Sequence, residues 1–249
     1  MVSRELIEQH RAAAADLSEL VAAELAAYFA ALDLSRPEAV RDALLEFMPL
    51  LVAEYGQVAA ALAMEWYDQL RLESEDPGSY VAAIPPTAAV AAEQVTETVR
   101  FLAGQLWTPN PASMLSGLSS SADKYVKQYG RDTVVWNAER EGVRFARVPT
   151  GDKTCAWCLM LASRDAIYLS KESAGDIGSG YGDGFHGFCD CEVVRIAKAS
   201  DYPEGYLPDD YYAMYEDARK AAGSGDAKDI SAAMRRLFPD ALTDGVHTH

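Results

Sequence analysis

Apolar residues recur at spacings of three and four along most of this chain, and the period changes only in one region. Over 3–33, Leu17, Leu20, Val21, Leu25, Tyr28, Phe29 and Leu32 are interleaved with Glu5, Glu8, Asp16, Glu19 and Glu24, which predicts an amphipathic helix. Ser35-Arg36-Pro37-Glu38 reads as a capping box opening a second helix to about Leu72, bent or broken near Pro49. Its predicted apolar stripe is Phe47, Leu50, Leu51, Tyr55, Val58, Leu62, Trp66 and Leu70. The Pro- and Gly-bearing stretch 73–86 is a loop, after which Thr87 is positioned to cap a helix carrying Val90, Val95, Val99, Phe101, Leu102 and Leu106. Thr108-Pro109-Asn110-Pro111 ends it. Met114 to Glu141 is again helical, with candidate interruptions at Ser119–Ser121 and Gly130, and Gly142 is the stop.

Past Gly142 the period becomes two. Val143 to Pro149 alternates apolar and basic residues, the pattern of a half-exposed strand, and Cys191 to Ile196 is a second strand candidate. A short helix around Leu159–Ala162 and a strand at Ile167–Leu169 fit between them, and six glycines from Gly175 to Gly187 exclude a packed element there. Helical patterns return after Pro208-Asp209-Asp210, closed by Gly223, and after Asp226, ending at Pro239. The predicted class is therefore α+β, mostly helical. An N-terminal helical bundle (1–142) precedes a small module with an antiparallel sheet (143–200), and C-terminal helices with a tail (201–249) complete the chain.

Composition narrows the partners. The formal net charge is −16 and the pI about 4.6, which argues against broad electrostatic binding to DNA, because phosphate recognition needs a basic face. It suits docking on a basic protein surface. Acidic residues interrupt the apolar runs, so no membrane span is expected, and the charged, amphipathic start does not read as a secretory signal.

All four cysteines lie in the region of changed period: Cys155-Ala156-Trp157-Cys158, then His186-Gly187-Phe188-Cys189-Asp190-Cys191. Two ligand pairs brought together across a loop are what tetrahedral zinc takes, because it favours thiolate and imidazole donors. Cys155, Cys158 and His186 are the first three candidates. Cys189 or Cys191 is the fourth, with spacing favouring Cys189 and strand alternation sending the two to opposite sides. One structural ion would then supply much of the folding free energy of a module too small to bury much apolar surface. Disulfides, a thioredoxin-like pair and buried thiols without metal are the alternatives.

The strand ending Arg147-Val148-Pro149, the run Gly151-Asp152-Lys153-Thr154-Cys155-Ala156-Trp157-Cys158, the glycine-rich loop and Phe185-His186 through Cys189-Asp190-Cys191-Glu192-Val193-Val194 resemble the Mu F type of minor head protein. The version with these cysteines is similar to minor capsid proteins of tailed phages that infect actinobacteria. Gly187 and Asp190 depart from the commoner H-P-x-C-R-C form. The resemblance implies a virion protein inside the capsid at the portal vertex, acting in head assembly, DNA packaging or DNA delivery. It further implies the phage portal protein as partner, with major capsid protein and packaged DNA as further contacts, and 1–142 as the docking region.

No catalytic constellation is expected. H-E-x-x-H, G-x-S-x-G and a Walker loop are absent, and the deaminase order of motifs is reversed. Gly182 to Gly187 matches G-x-G-x-x-G without the strand and helix that a dinucleotide needs. His10, His247 and His249 sit near the ends, which leaves His186 as the only imidazole in reach of a central site. An acidic internal scaffold, or a phage-derived module with an unrecognised activity, are the other readings.

Overall fold

The computed structural model describes residues 2–76, 78–87, 89–150, 153–164 and 191–246. The expected strand at 167–169, the glycine-rich loop, His186, Cys189, His247 and His249 lie outside them. In chain order the elements are α1 (Arg4–Ala30), α2 (Pro37–Glu73), α3 (Ala92–Leu102), α4 (Met114–Glu141), β1 (Arg144–Val148), α5 (Ala156–Ala162), β2 (Glu192–Ile196), α6 (Pro208–Ala222) and α7 (Ala227–Leu237). Short 3₁₀ turns follow α3, precede α4 and follow β2. The fold is thus mostly helical with a two-stranded antiparallel sheet, as the periodicity indicates.

Helices α1 and α2 form an antiparallel hairpin, and α4 packs along α2. The start of α1 is tied to the end of α2: Ser3 accepts from the Leu6 amide as N-cap, while its own N–H and Oγ–H donate to Glu73 at 2.7 and 2.8 Å. Gly56 lets the α2–α4 pair approach closely. A Cβ there would fall 2.6 Å from the Tyr129 ring, too close for any real contact.

Several local expectations are corrected. Pro49 does not break α2, which runs unbroken from Pro37 to Glu73. Leu50 is 70% exposed and Val58 faces outward, whereas Met48, Val52, Ala59, Ala60 and Ala63 are buried, so the stripe is rotated and uses small residues. By length and composition α2 is apolar enough to cross a membrane (mean hydropathy 1.4), contrary to expectation, although in the fold its apolar side packs on α1, α3 and α4. The capping box at Ser35 does not form, because the Ser35 hydroxyl donates to Asp33 at 2.6 Å and Arg36 is the N-cap without a side-chain bond. Ser119 and Ser121 leave α4 intact by donating back to the carbonyls of Leu115 and Gly117, each at 2.9 Å. Thr87 caps nothing. α3 starts only after Ala91, and the preceding loop is tied down at its beginning: Asn137 of α4 pairs with both backbone groups of Ala83 (2.8 and 3.0 Å) and Asp68 accepts from Ala82 N (3.1 Å).

Gly142 closes α4 in the left-handed conformation (φ 77°) and sends the chain into β1. The sheet register pairs Phe145 with Arg195, Ala146 with Val194 and Arg147 with Val193. Both strands are buried, against the expectation of a half-exposed β1: helix α5 packs on β1, and α2 and α4 pack on β2. One apolar cluster runs through Ile7, Trp66, Tyr67, Val134, Phe145, Val148 and Val194, joining the hairpin to the helices.

Burying the sheet also buries its arginines, and the fold supplies their partners. Arg195 is 0% exposed; its Nε and Nη2 reach the two Glu141 carboxylate oxygens, each at 2.7 Å, and Nη2 also reaches Asp76 at 2.6 Å. Arg71 approaches Glu141 at 3.0 Å, and the Tyr67 hydroxyl donates to it at 2.6 Å. This network clamps β2 to the ends of α2 and α4. Burial works against the Glu141 charge, but the Arg195 and Tyr67 bonds outweigh it and hold the carboxyl below its usual range.

Candidate thiol site

The cysteine pair sits at the start of α5, which its own N-cap and the C-terminal segment hold in place. Cys155 is the N-cap residue, its Sγ accepting from the Cys158 amide at 3.3 Å. Asp244 from the C-terminal segment accepts from the Ala156 amide at 2.9 Å while binding Arg235 at 2.7 Å. The Thr243 amide donates to the Thr154 carbonyl at 3.0 Å, within a parallel bridge between Thr154 and Leu242. At the other end of α5 the Tyr206 hydroxyl donates to the Ala162 carbonyl at 2.7 Å. Helices α6 and α7 complete the support: Asp226 caps α7 by accepting from Lys228 N, Gly223 closes α6, and Ala218, Ile230, Ala233 and Met234 pack on Ala156, Leu159 and Met160.

Cys191 stands immediately before β2 and brings its sulfur to the pair. Cys155, Cys158 and Cys191 are all buried and form one contact group with Trp157. The Cys158 and Cys191 sulfurs are 3.3 Å apart, well beyond the ~2.05 Å of a disulfide. Two buried arginines grip Cys191: Arg147 Nη2 donates to its Sγ at 3.2 Å, and Arg131 Nη2 donates to its carbonyl at 3.1 Å. The donor chemistry fits a soft divalent metal. Sulfurs on a tetrahedral zinc stand about 3.8 Å apart given Zn–S near 2.3 Å, so the Cys158–Cys191 pair would open by roughly half an ångström to hold one. Among the described residues no three ligand side chains yet surround a single point, and two of the expected ligands, His186 and Cys189, lie outside them.

A second polar group lies beneath β2, and sequence reasoning missed it. His10, near the start of the chain, is carried by α1 into a largely buried position. Its ring stacks on Trp66 (centroids 4.0 Å apart, planes 3° apart), and its Nε2 lies 3.8 Å from the Glu192 carboxylate. A cavity of about 30 Å³ adjoins it, lined also by Arg131, Lys127 and apolar residues of α1, α2 and α4. Burial, with the nearby Arg131 charge, lowers its pKa to about 4. The clue available in the sequence is its place on the α1 face that carries Ile7 and Leu17, both buried.

These features define a mostly helical α+β protein whose cysteine-bearing helix is pinned between a buried hairpin and a C-terminal helix pair. A family model described as VG15 protein matches residues 1–218, and the chain belongs to that family. It is 27% identical over 168 residues to the Gene 15 protein of Mycobacterium phage D29, covering 52% of this chain and 61% of that protein. To the Gene 15 protein of Mycobacterium phage L5 it is 28% identical over 130 residues, covering 38% of this chain and 44% of that one. The chain thus spans less than two thirds of either curated relative. The family is one of bacteriophage proteins. No solved structure matches the chain.

Proposed function

We propose that this phage protein is a structural minor capsid protein of the Mu F-like type, sited inside the head at the portal vertex and acting in head assembly, DNA packaging or DNA delivery. It works without catalysis. One structural zinc, held by Cys155 and Cys158 with further ligands from His186, Cys189 and Cys191, clasps the sheet region. The observation that carries this reading is the convergence of Cys155, Cys158 and Cys191, three of the four cysteines of the motif behind the family resemblance, beside the β1–β2 hairpin. The phage origin of the relatives supports it as well. The net charge of −16 favours a protein partner over nucleic acid, and Phe101 (84% exposed) and Trp107 (52%) offer apolar contact at the end of α3.

The purified chain is expected to bind the portal ring of its own phage as a discrete complex in sedimentation velocity, and to retain that binding in Cys-preserving surface variants away from α1–α4. Failure to bind at micromolar concentrations would overturn the portal assignment.

A further inference from the structure

Resting on the zinc reading, we propose that Arg147 is a positioning residue for that metal: its guanidinium compensates the negative charge of the thiolate site and orients Cys191 within it. Strand β1 carries Arg147 into the interior at 0% exposure, and the register sets it diagonally across from the residue that precedes β2. That residue is Cys191, and the guanidinium meets its sulfur at 3.2 Å. A neutral thiol is a weak acceptor, whereas a thiolate beside a guanidinium forms a charge-assisted bond. Three thiolates on a doubly charged cation leave one negative charge, and four leave two; a buried site needs a counter-charge of this kind. Arg131 complements it from α4. By holding the Cys191 carbonyl at 3.1 Å it fixes the backbone from which the sulfur projects. Cys191 is therefore held at both its carbonyl and its sulfur by buried cations from different elements, while Cys155 and Cys158 are set by the turn into α5. Arg147 touches no metal itself and acts through the ligand.

The test is zinc affinity by chelator competition on the full chain, with cobalt(II) absorption reporting thiolate ligation. Arg147→Gln keeps a donor without charge and Arg147→Lys keeps the charge without the planar fork. Arg147→Gln is expected to weaken binding by about 10–100-fold, as loss of a ligand's supporting bond does, with Arg147→Lys recovering a substantial part. In a Cys191→Ser background the Gln change is expected to make no further difference, whereas a merely structural role for Arg147 would add a second loss. Equal affinity of the Gln, Lys and wild-type chains, each folded by circular dichroism, would overturn the proposal and leave the zinc reading intact. If the Gln chain does not fold, the loss of zinc affinity in the Cys191→Ser/Arg147→Lys double variant, set against the losses of Cys191→Ser and Arg147→Lys alone, decides: additive losses overturn the proposal. A wild-type chain that takes up no zinc would sink the zinc reading, and this proposal with it.

Discussion

Replacing Arg195 by methionine is expected to destabilise the protein by about 3–5 kcal/mol, the usual cost of removing one partner from a buried ion network. The charge sits at 0% exposure between Glu141 and Asp76, with Asp201 also nearby at 3.6 Å. Without it, Glu141 keeps Arg71 and the Tyr67 hydroxyl but loses its two-pronged partner. A domain of ordinary stability has only about 5–15 kcal/mol in total, so this one change consumes a large part of it. Urea unfolding followed by circular dichroism reads the effect as a fall in midpoint. Because β2 depends on this clamp, Cys191 should become accessible to thiol reagents at lower urea than the cysteine pair of α5. An unchanged midpoint would show that the network contributes nothing net.

Acid is expected to loosen the same region in two steps, and His10 governs the first. Its folded pKa of about 4 lies below the ordinary 6.5, so the folded state favours the neutral ring. The stability this provides is complete above pH 6.5 and is lost progressively as pH falls from 6.5 towards 4. The shift corresponds to about 3 kcal/mol. Two charges oppose each other at the ring: Arg131 disfavours its protonation, and Glu192 at 3.8 Å favours it, with burial dominating. Glu141 follows at lower pH. Its folded pKa is depressed from 4.5, so its contribution is present above that value and lost as pH falls below it. His10→Phe should flatten stability between pH 6.5 and 4.5 while leaving the steeper acid loss. A His10→Phe profile that still falls across the upper window would refute the assignment.

Both predictions concern buried ionisable groups for which sequence patterning alone gives no partner, and the reason is physical. Periodicity reports which positions share a face, and it located α1 and α4 closely because those patterns are long. It does not report whether the second face of a strand is covered. The alternation of Arg144, Phe145, Ala146 and Arg147 reads as half-exposed, yet α5 on one side and the helices on the other enclose it. Glu141, which pairs with Arg195, lies 54 residues away, so nothing local in the sequence announces it. His10 was obscured by its proximity to the chain start, although α1 carries it into the core. For the thiol site, spacing indicated that Cys155 and Cys158 share a turn and that one of the later cysteines joins them. The register of β1 on β2, which brings Arg147 to Cys191, is a property of the pairing alone.

The structural role in the head is tested most directly by counting copies of the chain in mature particles and in precursor heads of its phage, using quantitative mass spectrometry against the portal protein. A minor capsid protein at the portal vertex predicts a small copy number, comparable to the portal subunits and the same in both preparations. Hundreds of copies confined to precursor heads, or none in mature particles, would contradict it and identify an assembly scaffold or a non-virion protein instead.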